Sequence, residues 1–181
     1  RLAPLKATYL PAIFLMAISF WIINLIFATG LVLYLMNLGF QPIVAIQPPA
    51  TIQEYLGYIV VLSIFAGICE EVLFRGTIMP SMESRGLVPA IVFSSLLFAL
   101  LHGSLLNLVN TFILGVVMAV IVIKTGSLWG GIIYHMLNNF FAATYLYIAG
   151  RYETAAVADV SLSELAGFLP LMLLGLGGAW L

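Results

Sequence analysis

Three short runs place acid–base side chains inside otherwise apolar sequence. Glu70, Glu71 and Arg75 fall in EEVLFR, His102 closes FALLH, and His135, Asn138 and Asn139 fall in HMLNN. The chain has two histidines in all, so both belong to these runs. An ionisable side chain at the middle of a bilayer opposes insertion by about 2.5 to 3.5 kcal/mol on translocon scales, so three charges within six residues require partners and a purpose. Carboxylates and imidazoles at that depth suit proton movement, whether in catalysis or along an ion path. They also suit hydrogen bonds that hold helices together.

Helical spacing sorts these residues. Glu71 and Arg75 stand four apart with the acid on the N-terminal side, the order that favours a same-face ion pair. Glu70 is rotated from Glu71 by about 100° and does not share that face equally. We therefore expect Glu71 and Arg75 to neutralise each other in a supporting role and Glu70 to be the acid that faces the chemistry. The face of Glu70 carries Ser63, Ala66, Gly67, Phe74 and Thr77, mostly small groups that leave room for water or a substrate. His135 and Asn139, also four apart, project together, with Asn138 a weaker competitor at spacing three. Phe98 and His102 share a face in the same way, which sets an aromatic ring against an imidazole.

The elements that must position these groups are membrane helices. Of 181 residues 64% are hydrophobic and 7% charged, far below the charge of a soluble domain. A net charge of −1 with six scattered basic residues provides no stripe for phosphates, which excludes a nucleic-acid partner. The lone Cys69 excludes an internal disulfide and a multi-cysteine metal site. The pattern predicts an all-α, polytopic helix bundle with about six transmembrane spans. A first span runs from Ala7 to about Asn37 and a proline-containing loop from Gly39 to Thr51. A second helix runs from Gln53 or Glu54 to about Pro80, a third from Leu87 to His102 and a fourth from about Leu105 to Ile123. A fifth covers Ser127 to about Ala149, a solvated loop spans Gly150 to Glu164, and a last apolar run starts at Leu165. Beginning on Arg1 and stopping inside an apolar run, the sequence reads as a piece of a longer protein. Loop charges favour a cytoplasmic N-terminus, with Arg1, Lys6, Arg85 and Lys124 inside and Arg151 outside. In that topology Glu70, His102 and His135 lie about 15, 22 and 12 Å from the nearest cytoplasmic boundary, depths compatible with one site in a core about 30 Å thick.

EEVLFR, FALLH and HMLNN, in that order and joined by KTGSLWG, resemble the EExxxR, FxxxH and HxxxN signatures of the CAAX prenyl protease and bacteriocin-processing (CPBP) family. The resemblance covers about residues 59–146. It divides the chain into an N-terminal helix and loop (1–54), a CPBP-like catalytic helical core (55–149), and a loop with a truncated last helix (150–181). It implies an intramembrane endopeptidase in which Glu70, His102, His135 and Asn139 occupy the catalytic positions and Glu71 and Arg75 complete the first motif. Peptide hydrolysis needs a base for water, stabilisation of the oxyanion and an acid for the leaving amine. Glu70 suits the base, His135 and Asn139 the oxyanion site, and His102 a role in orienting water.

The metal question stays open at this level. Glu70, His102 and His135 meet the three-ligand requirement of an open catalytic zinc site, in keeping with the metalloprotease label given to the family. No HExxH or other compact ligand pair is present. Direct activation of water by glutamate and histidine needs only proximity. The cofactor is thus a divalent metal such as zinc, or none. The resemblance implies membrane lipids and a peptide or protein substrate, prenylated or not, as partners, while the short loops and the lack of a targeting sequence point to a prokaryotic plasma membrane as the setting. Two other classes compete with the protease: a proton or ion transporter, and a non-catalytic immunity or scaffold protein that keeps the motifs for folding.

Overall fold

The computed structural model describes residues 2–40, 47–104 and 107–152. Its described residues form five long helices: α1 (Leu10–Asn37), α2 (Ile52–Arg85), α3 (Leu87–Leu101), α4 (Leu108–Thr125) and α5 (Leu128–Tyr152). The protein is a helical membrane bundle. Three segments, Ala7–Asn37, Ile52–Arg85 and Leu108–Thr125, are long and apolar enough to cross a bilayer. The other two expected spans differ. At 15 residues α3 rises about 22 Å, short of a hydrocarbon core of about 30 Å. At 25 residues α5 is long enough but is not among the three apolar spans, because it is the helix that carries His135, Asn138 and Asn139. The sixth expected span and most of the loop before it lie outside the described residues. Gly150 and Arg151, expected in that loop, are the last turn of α5.

Local sequence explains where the helices start and stop. Thr51 caps α2, its hydroxyl accepting from Glu54 N–H, while Glu54 returns a carboxylate to Ala50 N–H. Pro11 lies in the first turn of α1, where a missing N–H costs least. Pro80 was expected to end α2, yet the helix continues to Arg85. The reason is a π turn over Phe74–Ile78, in which Met79 N–H reaches back five residues to Phe74 O, so Pro80 enters as the first turn of a restarted helix. The chain then reverses at Gly86, whose φ of 109° is open to glycine alone at low cost. A second π turn spans Ile59–Phe65, with Ala66 N–H bonded to Val61 O.

These two turns set which face of α2 is buried. Ser63, Gly67, Glu71, Arg75 and Met79 repeat every four residues and are all buried. A regular α-helix would carry such a row around its axis by about 40° per step. A π turn holds more residues per turn and brings the row back towards α5. One apolar cluster joins Ile13 and Ala17 of α1 to Phe74, Phe98, Met118 and Tyr134 of the other four helices. A second joins Met79, Ala90, Ala119, Val122, Leu128 and Ile132 where α2 to α5 meet. Trp21 lies against Phe141 and Tyr145, fastening α1 to α5.

Glycine lets the helices approach closely. A Cβ on Gly131 would lie 2.8 Å from Glu71 Oε2 and 2.7 Å from Val122 Cγ2, whereas one on Gly30 would meet nothing within 4 Å. Gly131→Ala is therefore expected to lower stability by about 1 to 3 kcal/mol. Gly30→Ala is expected to change it by no more than about 0.5 kcal/mol. Thermal unfolding of the two variants in detergent checks the difference.

Candidate active site

The centre of the bundle is a charged cluster with no solvent exposure. Arg75 Nη1 donates to Glu71 Oε1 at 2.6 Å, and both side chains are fully buried. Arg75 Nη2 donates to the carbonyl of Gly115 on α4 at 2.7 Å. The guanidinium also lies over the ring of Phe98, 4.7 Å from its centroid, a cation–π contact between two fully buried groups. Arg75 thus ties α2 to α3 and α4. A Cβ on Gly115 would lie 3.2 Å from Arg75 Nη2 and 2.9 Å from Ser95 Cβ, so the α4 backbone comes near enough to accept this bond only as glycine.

His135 enters the cluster from α5. Its Nδ1 lies 3.3 Å from Glu71 Oε1, and its Nε2 lies 3.9 Å from Glu70 Oε2. A carboxylate paired with arginine can only accept, so Nδ1 carries the hydrogen and Nε2 is turned to Glu70. The expected division of labour between the two glutamates changes here. Glu71 is not confined to neutralising Arg75, because the same oxygen also orients His135. Glu70 sits at the edge of the cluster with 24% of its side chain exposed, placed to meet both His135 and the space outside.

His102 stands apart from this cluster. It caps the end of α3 and is exposed, its Nδ1 is 2.9 Å from the carbonyl of Phe98, and its ring stacks obliquely on Phe98 at 4.7 Å. That carbonyl accepts a hydrogen from Nδ1 and leaves Nε2 as the free nitrogen. The ring of Phe98 is also 5.6 Å from that of His135, so the two imidazoles flank one aromatic ring. The expected pairing of Phe98 with His102 is present. Phe98 serves His135 and Arg75 as well, which its own helix gave no sign of.

Asn139 is engaged elsewhere than in an open oxyanion site. Its Nδ2 donates to the carbonyl of Leu62 at 2.7 Å, within the π turn over Ile59–Phe65. Asn138 is the more buried of the two, and its Oδ1 has no partner among the described residues. Ser63, expected on the face of Glu70, and Phe98, expected against His102, make further contacts to Met136, Arg75 and His135, and Gly115 joins the site with no signal in the sequence.

The proposed metal-ligand set of Glu70, His102 and His135 does not fit a zinc centre. Among the described residues no three His, Cys, Asp or Glu side chains form a group able to hold a metal ion. The Phe98 ring lies against both imidazoles, and His102 and His135 do not meet Glu70 at one point.

With three motifs resolved into one buried cluster and its flank, comparison with known proteins can be set beside the geometry. A model of the type II CAAX prenyl endopeptidase Rce1-like family matches residues 52–141. The chain belongs to this family. The matched region begins at the start of α2 and ends within α5, so it contains all three motifs and omits α1. No curated protein and no solved structure matches the chain.

The electrostatics of this Rce1-like core give a direct prediction. Removing Arg75 leaves Glu71 buried without its counter-ion, a change that costs about 3 to 5 kcal/mol. Arg75→Met is therefore expected to unfold at markedly lower temperature than wild type. Arg75→Lys is expected to recover only part of the loss, because an ammonium does not span Glu71 and Gly115 with a planar fork. Thermal unfolding in detergent, monitored by helical circular dichroism, measures both.

Proposed function

We propose that this Rce1-like chain is an intramembrane endopeptidase that hydrolyses a peptide bond of a membrane-associated substrate. The observation that carries the reading is the placement of Glu70 and His135, a part-exposed carboxylate facing the Nε2 of a buried, carboxylate-oriented imidazole.

In the proposed reaction Glu70 takes a proton from water and the resulting hydroxide adds to the carbonyl carbon of the scissile bond. His135, its Nδ1–H held by Glu71, shares at Nε2 the proton that Glu70 has taken and offers it to the oxyanion. The C–N bond then breaks as the proton taken by Glu70 passes to the leaving amine. His102, exposed and stacked on Phe98, supplies a second contact for water or substrate. Asn139 completes the oxyanion site in the family pattern. Here its amide is bonded to Leu62, so its part in this chain is to hold α5 in place unless substrate draws it away. The scheme needs no metal.

Glu70→Gln and His135→Ala are each expected to lower cleavage of a membrane-anchored peptide in proteoliposomes by on the order of 10² to 10⁴-fold, with folding retained. Retained cleavage in either variant overturns the assignment. Ion flux through the same liposomes without peptide processing would favour a transporter instead. Presenting one peptide with and without a prenyl group decides whether the lipid is read.

Chelation separates the two mechanisms. Since the three candidate ligands do not converge, an excess of a divalent-metal chelator is expected to leave the rate within about twofold. Loss of activity that returns with zinc would overturn the metal-free scheme.

A further inference from the structure

Among the polar contacts between α2 and α5, two lie side by side within about one turn of His135 on α5. Ser63 is buried, and its hydroxyl donates to the carbonyl of Met136 at 2.7 Å. One residue earlier, the carbonyl of Leu62 accepts the Asn139 amide at 2.7 Å. Both α2 residues belong to the π turn over Ile59–Phe65. The two bonds run in opposite directions between the helices and bracket one turn of α5. One turn along α2, Gly67 admits the Met136 backbone, since a Cβ there would lie 3.3 Å from Met136 N and 2.7 Å from Met136 Cγ. Met136 is the residue that follows His135. The carbonyl held by Ser63 therefore belongs to the residue bonded directly to His135.

We propose that Ser63 is a positioning residue that sets the height and rotation of His135 against Glu70 and Glu71, acting through the Met136 carbonyl. The margins involved are small. His135 Nδ1 is already 3.3 Å from Glu71, near the long end of a hydrogen bond, so a slip of α5 by a fraction of an ångström breaks the contact that fixes its tautomer. A hydroxyl in a π turn is well placed for this work, because that backbone is wider and can present a side chain towards a neighbouring helix. This inference rests on the endopeptidase reading for its effect on rate, but its effect on His135 is independent of that reading.

The test uses the whole chain in detergent micelles or proteoliposomes. With two histidines in the chain, the imidazole nitrogen resonances are few, and a His102→Gln variant assigns them. Ser63→Ala is expected to shift the His135 signals from a single Nδ1–H tautomer towards a mixture while leaving those of His102 unmoved. Cleavage should fall on the order of 10 to 100-fold in kcat, with KM within about twofold. Ser63→Thr, which keeps the hydroxyl, should recover most of both readouts. Ser94→Ala is the control, since Ser94 is equally buried but bonds to Ile91 of its own helix, and it should change neither.

Wild-type His135 signals in Ser63→Ala, an equal shift in Ser94→Ala, or failure of Ser63→Thr to restore the tautomer would each overturn the proposal. Should Ser63→Ala not fold, Gly67→Ala, which presses on Met136 from the same side, is read by the same nuclear magnetic resonance signals and must shift His135. If the wild-type chain cleaves no peptide, the endopeptidase reading falls while the His135 signals still decide the role of Ser63.

Discussion

A buried ion pair governs this bundle. Glu71 and Arg75 have no access to solvent, and two charges taken out of water are stabilised only if their mutual attraction and their other hydrogen bonds offset the desolvation. Those other bonds come from every neighbouring helix. Arg75 requires the Gly115 carbonyl from α4 and the Phe98 ring from α3, and Glu71 requires the His135 ring from α5. The pair therefore acts as a hub whose satisfaction specifies how four helices meet. Apolar packing alone would specify this less sharply, since lipid tails are as apolar as leucine and provide little preference for one helix contact over another.

Backbone irregularity makes the hub reachable. The two π turns of α2 keep Ser63, Gly67, Glu71, Arg75 and Met79 aligned along a line that a regular helix would carry away from α5. Glycines at 67, 115 and 131 then remove the side-chain volume that would hold the helices apart. Each of these features weakens an isolated helix. Together they allow the polar groups of one helix to reach the backbone of the next, which a membrane interior rewards because no water competes.

The same arrangement separates the roles of the two glutamates more subtly than their rotation about the helix axis indicates. Glu71 is an orienting group for His135 as well as the partner of Arg75, and Glu70 is the carboxylate with access to the outside. Orientation by Glu71 leaves His135 Nε2 directed at Glu70, and the Phe98 ring lies against both imidazoles.

Sequence alone determined the helical class, the boundaries of α3 and α4 to within a few residues, the three motifs and the four-residue spacing of Glu71 with Arg75 and of His135 with Asn139. These are legible because helix periodicity and breakers such as Gly86 and Gly126 act over one or two turns of chain. The persistence of α2 through Pro80, the second role of Glu71, the bond of Asn139 to Leu62 and the separation of His102 from the charged cluster were decided by the tertiary structure. The first turns on a π turn inside α2 and the others on which particular group comes within hydrogen-bond reach of each side chain once the helices are packed. Spacing along one helix names the residues that share a face. It does not say which partner that face will meet.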